Sequence, residues 1–158
     1  METRSDFIGV NDKPALLGIS SLDWLEAAIS SLTEQGYKIQ QAVSHADFFT
    51  NFSQVPYEVV VIEEAFGGQE EGEAAAGNLS LAYLQSLPAN QRLQCTIILV
   101  GDSFTTYHTL QAFQQGVHMV VNRSEIALLG QFIQKAVADN SLFLQPYQEA
   151  QKRLIRAA

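Results

Sequence analysis

In YEVVVIEE, residues 57–64, four β-branched apolar residues follow one another without a polar break and end on two carboxylates, Glu63 and Glu64. CTIILVGD, residues 95–102, repeats the design and ends on Gly101 and Asp102. Runs this short and this rich in β-branched residues read as strands. Alternating polarity would leave one face of such a strand in water. Continuous apolarity places both faces in a core, as in a parallel sheet covered by helices on either side.

Working outward, the chain alternates two periodicities, the pattern of a βα repeat. ALLGIS (15–20) is a short apolar run, and in the segment after it Trp24, Leu25, Ala28, Ile29 and Leu32 fall on one helical face. Ser20 or Ser21 is expected to cap that helix and Gly36 to end it. YKIQQAV (37–43) reads as a half-exposed strand. Ser44 and Asp47 resemble a capping box before Phe48, Phe49 and Phe52. NLSLAYLQSLP (78–88) suggests a short helix with Leu79, Tyr83 and Leu87 inward. TTYHTLQAFQQG (105–116) gives a fourth helix and VHMVV (117–121) a fifth strand. SEIALLGQFIQKAVAD (124–139) gives a fifth helix with Ile126, Leu129, Phe132, Ile133 and Val137 inward. Right-handed crossovers with helices on both faces then lead to a three-layer, doubly wound (βα)5 α/β fold, with a five-stranded parallel sheet in the order 2-1-3-4-5. Its sites belong at the C-terminal strand edge. That edge collects Ser20 and Ser21, Glu63 and Glu64, Gly101 and Asp102, and Asn122 and Arg123.

A chain of 158 residues, 47% hydrophobic and 16% charged, fits one folded domain. We divide it into an N-terminal arm (1–13), the α/β domain (14–140) and a C-terminal extension or linker (141–158). A formal net charge of −8 argues against nucleic acid, whose affinity comes from Lys and Arg neutralising phosphates. The single cysteine, Cys95, excludes an internal disulfide and points to a reducing compartment. His45, His108 and His118 lack metal-ligand spacing, so no metal is expected. No apolar run reaches the roughly 20 residues of a membrane span. A cytoplasmic protein with no membrane partner is the expectation.

The arrangement resembles the receiver domain of bacterial two-component response regulators from Ala15 to about Val137. TEQGYKIQQAV (33–43) is similar to the end of the first helix and the second strand of receivers. LQAFQQGVHMVVNRSE (110–125) is similar to their turn and fifth strand. The resemblance implies a flavodoxin-like fold. It also implies an acidic pair after strand one, an acceptor Asp after strand three, Thr or Ser after strand four and Lys after strand five. Here those positions hold Ser20 and Ser21, Glu63, Gly101 and Arg123. Ser124 stands for the usual proline and Val120 for the usual strand-five aromatic. Phosphoryl transfer on receivers needs Mg2+, a hard cation that takes carboxylate oxygens. Serine hydroxyls supply no negative charge, and one lost hydroxyl donor can cost about 3 kcal/mol of transition-state stabilisation. The resemblance therefore implies a pseudo-receiver: a non-enzymatic signalling module without the Asp phosphorylation cycle. Glu63 is expected to form a fork with Arg123 that locks one conformation. The plainer alternative is that Glu63 and Glu64 end a strand in water.

Three other features complete the reading. Glycines and Glu70, Glu71 and Glu73 make residues 64–78 an acidic loop, solvated or suited to a basic partner. No G-x-G-x-x-G or P-loop follows a strand, so no nucleotide or other cofactor is expected. No G-x-S-x-G surrounds a serine, and Ser103 is expected to cap the fourth helix. Receivers commonly use the face from the fourth helix to the fifth to dock or dimerise. By that resemblance Tyr107, Gln111, His118 and Val120 are candidates for binding a protein partner or a second copy. After Asn140, Leu142, Phe143, Leu144 and Tyr147 offer an apolar face that could pack back on the domain, and QEAQKRLIR (148–156) reads as a short helix or as a linker toward an output domain. A flavin- or small-ligand-binding protein, and a structural module that dimerises through the fifth helix and the C-terminal extension, remain alternatives on the same topology.

Overall fold

The computed structural model describes residues 12–67 and 78–157. Most of the expected N-terminal arm, and Glu70, Glu71 and Glu73 of the acidic loop, lie outside the described residues. Five parallel strands form one sheet in the order β2-β1-β3-β4-β5. They are β1 (Lys13–Gly18), β2 (Tyr37–Gln41), β3 (Val59–Glu63), β4 (Thr96–Gly101) and β5 (Met119–Asn122). Between them run α1 (Leu22–Glu34), α2 (His45–Gln54), α3 (Leu79–Ser86), the single turn α4 (Ala89–Arg92) and α5 (Thr109–Gln115). A 3-10 helix, Arg123–Leu128, leads from β5 into α6 (Leu129–Ala157).

All of β3 and β4 is buried, as continuous apolarity requires. Because successive side chains point to opposite faces, each strand feeds two cores. Val59, Val61, Ile98, Val100 and Val121 join Ala28 and Leu32 of α1 and Leu129 and Ile133 of α6 on one face. Val60, Ile62, Ile97, Leu99 and Val120 join Phe48 of α2, Leu81 and Leu84 of α3, and Ala112 of α5 on the other. Fully burying one such side chain is worth about 1.5–3 kcal/mol over leaving it exposed. The edge strand β2 is only half covered, and its polar residues Lys38, Gln40 and Gln41 fit that place.

Helix ends correct several local expectations. Ser44 Oγ accepts from Asp47 N (3.1 Å), while Asp47 Oδ2 accepts from Val43 N (3.0 Å), so the expected box reaches one residue further back. Ser21 occupies the first cap of α1 without a side-chain bond. Ser20 Oγ is used elsewhere, accepting from Gly67 N (3.2 Å). Gly36 and Gly116, at φ +85 and +68, close α1 and α5 in the left-handed conformation that glycine adopts without strain. In α3 the inward residues are Ser80, Leu81 and Leu84 rather than Leu79 and Tyr83. The phase is set by two polar contacts: Asn78 caps the helix through Leu81 N (3.0 Å), and Ser80 Oγ meets His45 Nδ1 (2.7 Å). His108, not Ser103, caps α5, its Nδ1 accepting from Gln111 N (3.2 Å).

The last helix differs most from expectation. It runs from Leu129 to Ala157 through Pro146. Asn140 is buried, and its amide donates to Leu93 O (2.8 Å) and Thr96 Oγ1 (3.3 Å). Beyond this anchor Leu142, Phe143 and Tyr147 are exposed instead of packing back, because the helix continues past the edge of the domain.

Candidate functional site at the sheet edge

The register aligns the strand ends: Gly18 pairs with Ile62, Glu63 with Val100 and Gly101 with Asn122. The expected site residues therefore meet along one edge. Glu63 does not end its strand in water; it is 5% exposed. Its Oε1 accepts from Ser20 N (3.2 Å), and the Ser21 N–H also bonds it. Burial raises the Glu63 pKa above the usual carboxylate value, while these two N–H groups and the nearby Arg123 charge act in the opposite direction. The serines at the end of β1 thus act through their backbone, presenting donors to the carboxylate. Asn78 fastens the other side, donating to Glu63 O (2.9 Å) and Glu64 O (3.2 Å).

Arg123 does not form the expected fork with Glu63. Its Nη1 pairs with Asp102 Oδ2 at 3.2 Å, and its guanidinium lies 5.0 Å from the centre of the Trp24 ring. The inward turn of Glu63 toward the Ser20 backbone leaves the arginine to partners on the outer rim. Both members of the Arg123–Asp102 pair are more than half exposed, so the pair itself contributes at most about 1 kcal/mol.

Glu64, by contrast, is exposed, as the solvated reading requires, and accepts from Ser103 Oγ at 2.7 and 2.9 Å. Its side chain lies where a Cβ on Gly101 would project: such an atom would meet the Glu64 carboxylate, sit 2.9 Å from Glu64 Cβ and 3.0 Å from the Phe104 ring. The glycine at the end of β4 and the glutamate at the end of β3 are therefore complementary. Asn122 closes the rim. Its amide donates to Phe104 O (2.7 Å), its N–H donates to Thr106 Oγ1 (2.9 Å), and its Oδ1 accepts from Ser124 N (3.0 Å). Among the described residues no three His, Cys, Asp or Glu side chains gather as metal ligands. The edge thus holds the charges of Glu63, Glu64, Asp102 and Arg123 in fixed places.

The expected partner face divides. Tyr107 is 45% exposed, at φ +67, with its ring edge-to-face on Phe132 at 5.0 Å. Gln111 is half-buried and accepts from Thr105 N (2.8 Å). His118 Nδ1 accepts from Ile97 N (3.0 Å), and burial lowers its pKa, with the Asn140 side chain opposing and the Arg92 charge adding. Val120 is fully buried in the second core and cannot meet a partner. Its place in the unbroken MVV run is the signal that argued for burial. Leu110 and Phe113, unremarked in the sequence, are exposed on the same face. With Tyr107, His108, Val117 and His118 near by, Phe113 borders a shallow groove of about 450 Å3.

No protein-family model matches the sequence, and no curated protein matches it. Solved structures do resemble it. NtrX from Brucella abortus, in complex with ADP, aligns at a TM-score of 0.62 and 12% identity over 90% of this chain and 30% of that one. The chemotaxis response regulator CheY4 of Vibrio cholerae aligns at 0.57 and 9% identity over 80% of this chain and 99% of its own. A fusion carrying a yeast Spc42 trimeric coiled-coil segment aligns at 0.58 and 14% identity over 95% of this chain and 93% of its own. This chain thus spans under a third of NtrX, while CheY4 is matched almost whole. At these identities the likeness establishes the fold: the five-stranded 2-1-3-4-5 sheet of the flavodoxin-like receiver type.

Proposed function

We propose that this chain is a pseudo-receiver, a signalling module that acts by binding another protein without an aspartyl phosphorylation cycle. One observation carries the reading: the carboxylate at the end of β3 is buried and bonded by the backbone of Ser20 and Ser21, where an active receiver holds the acidic pair that binds its metal. A carboxylate held this way is poorly placed to attack a phosphoryl donor, and the neighbours that would neutralise the developing charge are serines. Arg123, at the position of the receiver lysine, is engaged with Asp102 and Trp24. Gly101 supplies no hydroxyl.

The protein partner is assigned to the surface of α5 and the start of β5. Tyr107, Leu110, Phe113 and His118 bring apolar area and a polar rim together there. The module is non-enzymatic in this reading. The test is incubation with acetyl phosphate and Mg2+, followed by intact mass. An unmodified chain is the expected result, and a stable phosphoryl adduct on Glu63 would overturn the proposal.

A further inference from the structure

Leu129, Ile133, Ala136, Asn140, Phe143, Tyr147, Ala150 and Leu154 follow one another along α6 at alternating spacings of four and three. This is the spacing that keeps one seam of a helix facing a neighbour along its whole length. The first four positions are buried against the sheet. The last four lie beyond the Asn140 anchor, where Phe143 is 69% and Leu154 72% exposed. A seam in unbroken phase therefore passes from a covered half to a bare one, which from Phe143 to Leu154 extends about 17 Å at 1.5 Å per residue.

We infer that the bare half is covered by the same segment of a second copy, the two helices running antiparallel. Three features select this occupant and this direction. First, the seam complements itself when reversed. Setting Phe143 against Leu154 of the second copy brings Tyr147 against Ala150, large against small, twice over by symmetry. A parallel pair would instead stack Tyr147 on Tyr147 and leave Ala150 facing Ala150. Second, the root of the helix holds a cleft of about 660 Å3, lined on one side by Phe143, Leu144 and Tyr147 and on the other by Ala89 and Leu93. In the antiparallel pair Leu154 and Ile155 of the second copy arrive at this cleft. Third, Lys152, Arg153 and Arg156 outnumber the single Glu149 at this end of a chain whose net charge is −8. The antiparallel pair lays each basic end toward the other copy's acidic body, whereas a parallel pair brings the basic ends together. The interface is isologous and closes at two copies.

This inference is independent of the partner face on α5, and its test uses the full chain. Sedimentation equilibrium at tens of micromolar is expected to give twice the chain mass. Tyr147→Glu and Leu154→Glu are each expected to give the single-chain mass with an unchanged circular dichroism spectrum. A wild-type chain that stays monomeric, or glutamate variants that remain dimeric, would overturn the proposal. Direction is read by oxidation, since the one native cysteine, Cys95, is buried. Chains carrying Phe143→Cys mixed with chains carrying Leu154→Cys should join to each other. A Leu154→Cys chain that instead joins efficiently to its own kind would reject the antiparallel pair.

Discussion

The C-terminal edge of the sheet and the far half of α6 are opposites. At the edge each charge has a partner within the fold: Glu63 has the Ser20 and Ser21 backbone, Glu64 has Ser103, and Arg123 has Asp102 and Trp24. On α6 past Asn140 the apolar residues Phe143, Tyr147, Leu154 and Ile155 stand bare. Folds of this class carry ligands at the strand edge. Here that edge is closed by its own side chains, and the uncovered surface lies elsewhere. The difference teaches that in this molecule the strand edge, where such folds ordinarily hold ligands, is filled by its own side chains, while an uncovered apolar surface lies on the last helix.

The sharpest way to break the comparison is to truncate one seam residue from each half of α6. Ile133→Ala removes a fully buried side chain from the first core and should cost about 2–5 kcal/mol in urea unfolding. Leu154→Ala, measured on chains dilute enough to be monomeric, should stay within about 0.5 kcal/mol of wild type. Equal losses would mean that the far half is packed within a single chain. Next in size is the anchor between the halves. Asn140→Ala leaves Leu93 O and Thr96 Oγ1 without their donor and should cost about 1–3 kcal/mol. A neutral result would show that the end of the covered half is set by apolar packing alone.

The contrast between the two regions is only partly legible in the sequence. Burial on both faces of β3 and β4 is written as continuous apolarity. Right-handed crossovers with helices on both faces lead to a doubly wound sheet, of which 2-1-3-4-5 is one of the two common orders, so the sheet and its edge can be read from the sequence. The same rule applied to β5 removes Val120 from the partner face, since Met119, Val120 and Val121 form one unbroken apolar run. The partners of Arg123 are not legible. Whether a guanidinium turns to Glu63 or to Asp102 and Trp24 depends on rotamers and on which donors already hold the carboxylate. The bare seam is hidden for a different reason. Phe143 and Tyr147 announce apolar surface, but nothing local says whether a helix that continues in phase meets its own domain or a second chain.

At the edge itself, Gly101→Thr tests how tightly the closure is built. A threonine there adds a Cβ in the space held by the Glu64 side chain, which must shift from its place beside Ser103. Small-to-large changes of this kind cost typically about 1–3 kcal/mol, and the exposure of Glu64 puts this one at the lower end. Urea unfolding checks it, and an unchanged midpoint would mean that Glu64 swings aside freely.

The smallest effect should come from Glu63→Gln, and its sign is informative. Burial raises the folded-state pKa of Glu63 above its unfolded value. Between those two values the folded chain binds the proton more tightly than the unfolded chain does, so stability falls as pH rises through that window. Below the window Glu63 is neutral in both states and adds no such cost; above it the cost of the buried charge is fully present. A glutamine at this position cannot ionise, yet it keeps an oxygen to accept from the Ser20 N–H. The variant should therefore melt a few degrees above wild type near neutral pH, and the two melting curves should converge as pH drops below the window. A variant that melts lower at neutral pH would show that the N–H groups of Ser20 and Ser21, with Arg123 beside them, outweigh the burial of the charge. The edge would then be a charged site held ready, and its contrast with the bare helix would disappear.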